Sequence, residues 1–383
     1  MLATSAADPD LAPFVGIAHL GVAGALAVAR ERPLLAYTTP MEREEAASTG
    51  LALLTPEETD FSRLRRELGE EAAIAHLAAR LAEGRVRSGA RIAVAGRLPA
   101  GWSLELLHRL REQGWDVFSG HQLARRWRKT KTPWQLDDIR EAAQGACEAL
   151  RGAADMLARA EPDEDGVLRL DHHPLTCRDL RRTVAEALAR HELEQPEGNI
   201  VSAGTDAAVP HSRSNPDRVL RAGETILVDV FPRRKLFADC TRTFVVGTPC
   251  DPVRQAFQAT LEVLNESHRD AKAGVAARHL HEDASARFEA AGYATLRTNP
   301  QTTTGFVHTL GHGVGFELHE EPSFRAAPED GGRLAPGDVF TLEPGLYDPE
   351  AGWGIRLEDL IHLGPDGPEN LTPLPYDLNP RAW

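Results

Sequence analysis

FVHTLGHGVGFELHEEP (306–322) is the stretch on which the reading of this chain turns. It sets His308, His312 and His319 among aromatic, aliphatic and glycine residues. His308 and His312 stand four apart and share one side of an extended strand, because side chains there alternate with period two. His319 lies an odd number of residues from both and faces the other way unless the chain bends. Gly311, Gly313 and Gly315 permit such a bend, and glycine also lets backbone approach a site closely. One histidine in such a run is ordinarily a satisfied core residue. Three need a further reason.

The neighbouring sequence supplies one. Four carboxylates sit within or beside apolar, strand-like runs: Asp229 in ETILVDV (224–230), Asp239 in FADCTRTFVV (237–246), Glu343 in VFTLEPGLY (339–347) and Glu358 in GIRLEDLIHL (354–363). A lone buried carboxylate is so costly that it is normally protonated, paired or metal-bound. An arginine partner explains one such acid. Four, placed in two similar strand pairs, point instead to two divalent cations that balance the charge. AGETILVDV and APGDVFTLEP each lead into one of those pairs, a faint internal repeat. Oxygen donors with one imidazole suit Mn²⁺ or Co²⁺, with Zn²⁺ next, better than a thiolate centre does. Two ions about 3.5–4 Å apart can share a hydroxide, lower its pKa and polarise a carbonyl. The HExxH signature is missing, since the His-Glu pairs at His191, His281 and His319 lack a second histidine. Asp171-His172-His173 and His279/His281 read as a polar loop and a helix face, outside the metal set.

Around this core the chain divides into two stretches. PLLAY (33–37), RIAVAG (91–96) and WDVFSG (115–120) read as strands, alternating with helical spacing over 63–84 and 103–114 that closes on Gly84 and Gly114. That alternation predicts a small α/β domain over 1–130. RRWRKTKTP (125–133) carries five basic residues and reads as a solvated hinge, with a nucleic-acid patch as the sharper alternative. Helical stretches over 137–160, 174–193, 251–272 and 276–291, segregated from the strands, make 131–383 an α+β domain.

Composition agrees with an ordinary soluble globular protein. The 383 residues are 42% apolar and 26% charged, with a net charge of −14 that disfavours general nucleic-acid binding. Cys147, Cys177, Cys240 and Cys250 form no CxxC pair and read as reduced thiols of a cytoplasmic protein. MLATSAADPD is acidic where a signal peptide is basic, and Phe14–Ala29 is short for a membrane span and reads as buried structure.

HTLGHGVGFELHEEP, preceded by VD…ADCTRTF and followed by LEPGLY…GIRLED, closely resembles the pita-bread metallopeptidases, among them methionine aminopeptidase, aminopeptidase P and prolidase. The resemblance runs from about Lys131 onward. The N-terminal domain resembles, more weakly, the accessory domain of aminopeptidase P, prolidase and creatinase, which directs the comparison to the proline-handling branch. The resemblance implies that Asp229 binds one ion, that Asp239 and Glu358 bridge both, and that His312 and Glu343 complete the second ion's shell, Glu343 also exchanging a proton. His211 then matches a substrate-side histidine, His319 the one that steadies the tetrahedral intermediate, and His308 one typical of the proline-specific branch. Arg356, two before Glu358, is expected to orient the metal carboxylates. Creatinase lacks the metal ligands, whose presence here argues for a metallohydrolase. A homodimer is implied by resemblance alone.

Two departures concern the substrate end. The interval from Asp229 to Asp239 is one residue shorter than the family's usual one, and Val230-Phe231-Pro232 stands where a small residue is common. Arg233, Arg234 and Lys235 occupy the hairpin connection, either as a solvated turn or as a cluster that reaches a substrate's C-terminal carboxylate. The first expectation is an Xaa-Pro aminopeptidase. A prolidase-like dipeptidase or a C-terminal exopeptidase using the basic turn is the alternative, and a non-enzymatic pita-bread binding module is the reading from another class.

Overall fold

In this computed structural model the described residues are 2–3, 24–27, 34–83, 85–87, 89–97, 99–325 and 332–383. Most of Phe14–Ala29 falls outside them. The chain separates into two compact units, Met1–Arg128 and Lys129–Trp383.

The first unit is built on a six-stranded mixed sheet: β1 (Leu2–Ala3), β2 (Gly24–Ala27), β3 (Leu34–Tyr37), β4 (Ala52–Leu54), β5 (Arg91–Val94) and β6 (Asp116–Ser119), in the order β4-β3-β2-β1-β5-β6. Helices α1 (Phe61–Leu68), α2 (Glu70–Ala82) and α3 (Ala100–Glu112) supply its core through Leu64, Ile74, Leu77, Leu81, Leu106 and Leu110. The single helix predicted over 63–84 is interrupted at Gly69, whose φ of 82° ends one helix and starts the next. The basic run is not wholly a solvated connection, although the boundary between the two units falls within it. It forms α4 (His121–Lys129), with Ala124 and Arg128 buried.

The second unit repeats one idea twice, a helix pair laid over a small antiparallel sheet. In its first half α5 (Pro133–Arg159) and α6 (Cys177–Arg190) cover β10 (Asn199–Ala203), β11 (Ile226–Val230) and β12 (Cys240–Phe244). A small sheet of β7 (Glu161–Pro162), β8 (Leu168–Leu170) and β9 (His173–Pro174) links the helices. Helix α5 starts earlier than its periodicity suggests because Pro133 occupies the first turn, where no N–H is needed, behind a Thr132/Gln135 capping box. Ala142, Ala146, Ala149 and Ala153 give it a buried, small-residue face against this core.

In the second half α7 (Asp251–Asp270) and α8 (Ala277–Ala290) pack with β13 (His312–Gly313), β14 (Glu320–Ser323), β15 (Val339–Leu342), β16 (Gly345–Asp348), β17 (Trp353–Arg356), β18 (Asp359–Gly364) and β19 (Gly367–Asn370). The strands predicted over 339–347 and 354–363 are each split. Leu342 pairs with Asp359 and Gly345 with Arg356, so the two breaks, Glu343-Pro344 and Leu357-Glu358, face each other in one long hairpin. Pro344 lacks an N–H and restricts the residue before it, which accounts for the first break. Helices and sheets are segregated as an α+β domain requires. Among the described residues no helix is long and apolar enough to cross a membrane.

A buried ion pair braces the histidine-bearing turn between β13 and β14. Lys131 Nζ donates to Glu320 Oε1 at 2.7 Å with both side chains inaccessible, and Glu320 Oε2 accepts from Glu317 N. Gly315 leaves room for the pair, since a Cβ there would stand 2.4 Å from Glu320 Oε1. Lys131→Met strands a buried carboxylate and is expected to cost about 3–5 kcal/mol in urea unfolding. Adding Glu320→Gln is expected to restore much of the loss; an equal loss in the double variant would show that the charge pair is not the cause.

Candidate metal centre

Each acid of the predicted set sits where the local fold exposes a carboxylate to one shared space. Asp229 lies inside β11, between Ile200 and Thr241 on the flanking strands, and is buried. Asp239 stands one residue before β12, just beyond the Val230–Cys240 pair. Glu343 and Glu358 come from the two facing breaks of the long hairpin. His312 opens β13. All five line one cavity of about 250 Å³, together with Glu197, Ile200, His211, Arg213, Phe231, Leu318, His319 and Arg356.

The distances are those of a donor cluster. His312 Nε2 lies 3.6 Å from Asp239 Oδ2 and 3.5 Å from Glu343 Oε1. Donor atoms of Asp239, His312 and Glu358 all fall within 4.8 Å of one another. Burial, then Glu358, Asp229 and Glu343, push the Asp239 carboxyl well above the usual range. Glu358 is raised likewise by burial and by Glu343 and Asp229, and Glu343 is pushed up to about 8, chiefly by burial. Burial lowers His312 to about 3, with His319 contributing, so its ring is neutral.

The donor set fits divalent cations on two further observations. Asp229 Oδ1 and Asp239 Oδ1 are buried and accept no hydrogen bond, which native structures rarely leave unexplained. His312 Nδ1 sits 3.2 Å from the Gly313 carbonyl, which can only accept, so Nδ1 carries the proton. The Nε2 lone pair then faces the carboxylates, the tautomer that a metal ligand needs.

Arg356 hydrogen-bonds within this set. It donates to Asp229 Oδ2, to Thr241 Oγ1 at 3.2 Å and to Tyr347 Oη at 2.9 Å. Thr241 Oγ1 in turn donates to Glu358 Oε2 at 2.7 Å. One guanidinium thus steers carboxylates from both halves of the unit. His308 does not line the cavity. Its Nδ1 donates to the Thr309 carbonyl and its Nε2 accepts from Tyr347, which places it behind Glu343, 3.9 Å from Oε2. Burial and Arg356 lower it to about 3.

His211 and His319 do line the cavity, and the His312 and His319 rings lie 4.1 Å apart. The glycines make that turn. A Cβ on Gly311 would lie 2.0 Å from the Thr341 carbonyl oxygen and one on Gly313 2.1 Å from that of Glu321. Desolvation, then His211, holds His319 below its ordinary pKa.

Arg233, Arg234 and Lys235 do not line the cavity, which weighs against the alternative in which they reach a substrate carboxylate. Arg233 pairs with Glu194 at 2.7 Å, and Arg234 pairs with Asp138 and Glu141 at 3.1 Å each. Lys235 gives its backbone N–H to Asp138. His281 accepts the Leu310 N–H as a structural histidine. Sequence reasoning missed Tyr347, Glu197 and Arg213, and also the apolar wall of Ile200, Phe231 and Leu318. Tyr347 stands four residues after Glu343, a spacing that was legible. The other two charged residues sit in loops whose path no periodicity announces.

Residues 137–365 match the family described as Metallopeptidase family M24. A Xaa-Pro dipeptidase of Pyrococcus furiosus is 28% identical over 65% of this chain and 64% of its own length. A probable dipeptidase PepE of Mycobacterium tuberculosis is 32% identical over 52% of this chain and 50% of its own. The chain thus spans about half to two thirds of these relatives' length. Among solved structures, a prolidase from Pyrococcus horikoshii superposes with a TM-score of 0.75 at 24% identity, covering 98% of this chain and 94% of that one. An X-Pro aminopeptidase from Thermotoga maritima gives 0.75 at 21%, covering 98% and 96%. At these identities the likeness speaks for the fold, which is the pita-bread arrangement behind a smaller N-terminal domain.

Cations that enter this cluster must displace protons from its raised carboxyls. Titration calorimetry with Mn²⁺ at pH 7, run in buffers of different ionisation enthalpy, is expected to show net proton release. Affinity is expected to climb with pH through about 8, where Glu343 ionises, the raised carboxyls of Asp239 and Glu358 adding to the same trend. Heats independent of buffer would mean that the carboxyls are already charged.

Proposed function

The chain belongs to metallopeptidase family M24, and from that premise we propose that it is a metal-dependent exopeptidase for short peptides with proline after the scissile bond, acting as an Xaa-Pro dipeptidase. The observation that carries the reading is the meeting of Asp229, Asp239, His312, Glu343 and Glu358 at one cavity. Dipeptidase is placed ahead of the aminopeptidase first expected because Xaa-Pro dipeptidase and dipeptidase are the names carried by the curated relatives described above. A cavity of about 250 Å³, below the roughly 300–1,000 Å³ of ordinary ligand pockets, also suits a short substrate.

In this reading Asp229, Asp239, His312, Glu343 and Glu358 hold two divalent ions, Mn²⁺ first among them because oxygen donors predominate. When bound, the ions supply an activated water and polarise the scissile carbonyl. Glu343, once the bound cations have displaced its proton, accepts a proton from the attacking water and passes it to the leaving amine. His319 donates to the developing oxyanion, and its lowered pKa keeps the ring neutral for that role. His211, exposed on the cavity wall, faces the substrate. Ile200, Phe231 and Leu318 offer the proline ring an apolar wall. Arg356 keeps Asp229 and, through Thr241, Glu358 in place. A cytoplasmic homodimer belongs to the same proposal on the strength of the family resemblance.

Mass spectrometry of peptides incubated with Mn²⁺-loaded protein tests this reading, using Ala-Pro, Ala-Pro-Ala, Ala-Ala-Ala and end-blocked forms. Cleavage confined to Ala-Pro is expected. Release of Ala from C-terminally blocked Ala-Pro-Ala would make it an aminopeptidase, and cleavage of amine-blocked peptides that requires a free carboxylate would make it a carboxypeptidase. No cleavage with any divalent metal would sink the enzymatic reading. Asp239→Ala is expected to abolish turnover. His319→Ala is expected to lower kcat about 10²–10³-fold with little change in KM.

A further inference from the structure

The cavity holds two arginines, and they differ in what their charge already faces. Arg356 is buried and bound to Asp229. Arg213 is exposed at the wall, two residues beyond His211. Its Nη2 donates to the Glu197 carbonyl at 2.6 Å, and its guanidinium lies over Gly198, where an added Cβ would stand 3.2 Å from Nη1. Gly198 has a φ of 78°, so the turn that seats the guanidinium favours a residue without a side chain. Among the described residues Arg213 makes no ion pair with a carboxylate. One edge of the fork is therefore fixed to backbone while its charge stays unmatched.

We propose that Arg213 binds the free C-terminal carboxylate of a short substrate and so determines that the enzyme takes dipeptides. This rests on the exopeptidase reading above. Three observations converge on it. In the cationic turn Arg233 and Arg234 are paired with Glu194, Asp138 and Glu141, and neither they nor Lys235 line the cavity. The other cavity groups are the acid Glu197, the Asp229-bound Arg356, the apolar Ile200, Phe231 and Leu318, and the metal-ligating and imidazole groups, so Arg213 is the cation there without a carboxylate partner among the described residues. A planar guanidinium with one nitrogen already anchored is preorganised for carboxylate, and less freedom is lost on binding than with a lysine. Arg325 lies near enough to His319 to help depress its pKa, but it does not line the cavity and is the natural rival.

The test compares the full-length Mn²⁺-loaded protein with Arg213→Met, Arg213→Lys and Arg325→Met on Ala-Pro and on Ala-Pro amide. Losing a charge-assisted contact predicts that Arg213→Met raises KM for Ala-Pro about 10- to 100-fold, with kcat nearly unchanged and the amide unaffected. Arg213→Lys should fall between. The same shift in Arg325→Met in place of Arg213→Met overturns the assignment, as does an equal effect on acid and amide. Calorimetry with L-proline and L-prolinamide reads the same preference without turnover. The unaltered protein should favour the acid and Arg213→Met should not. If the unaltered protein hydrolyses neither peptide yet keeps an Arg213-dependent preference for proline, the exopeptidase reading fails and this inference stands. If it hydrolyses Ala-Pro without any preference for the acid, this inference alone fails.

Discussion

Four carboxylates confined to one buried space set the terms for the rest of the second unit. At about 4 Å two like charges repel by roughly 4 kcal/mol even at an effective dielectric of about 20, and burial adds a further penalty for each. Arg356 is the cation that the chain places on this set, and it is committed to Asp229. The rest is answered by protonation, which is why Asp239, Glu343 and Glu358 all hold their protons far above the usual carboxylate range. His312 and His308 are neutral for the same reason of burial and contribute no charge. A site so arranged is poised to exchange protons for multivalent cations.

Holding such groups together requires backbone that does not yield. Thr243 Oγ1 accepts from Arg356 N and donates to Arg356 O, each at 3.0 Å, and Glu358 N donates to the Thr241 carbonyl. Arg242, fully buried, gives Nη1 to the Glu358 carbonyl at 2.5 Å and Nη2 to Asp359 at 2.7 Å. Burial would raise Asp359, but Arg242 and then His268 outweigh it and hold the carboxyl low. The two half-sheets are therefore sewn together at the residues beside the ligands. The facing breaks in the long hairpin keep Glu343 and Glu358 out of the ladder, free to turn inward.

This explains which parts of the site were legible in the sequence. Acids inside apolar strands announce themselves, because the pattern of one strand contains the whole anomaly. The same holds for three histidines spaced by glycine. Strand ends were less legible. Pro344 signals a break near Glu343, yet nothing local requires the matching break at Leu357-Glu358, which follows from register with its partner. Lys131 was read only as part of a basic hinge, because its partner Glu320 lies 189 residues away. His308 was placed among the substrate residues by the family resemblance; the shared strand face expected for it and His312 does not form, because His312–Gly313 is only a two-residue strand and His308 lies outside it.

Charge near a site is a poor guide to recognition until its partners are counted. Arg233, Arg234 and Lys235 form the more conspicuous cluster in the sequence, but Glu194 pairs with Arg233, while Asp138 and Glu141 pair with Arg234 and fasten the β11–β12 connection to α5. An arginine already paired with a protein carboxylate must give up that partner to bind another, so most of the new contact is cancelled. Arg213 has no such exchange to make. Its anchoring bond goes to a neutral carbonyl, which directs the fork without neutralising it. The difference lies in the partners that folding provides, and for that reason a single arginine in an irregular loop can decide specificity where a run of three does not.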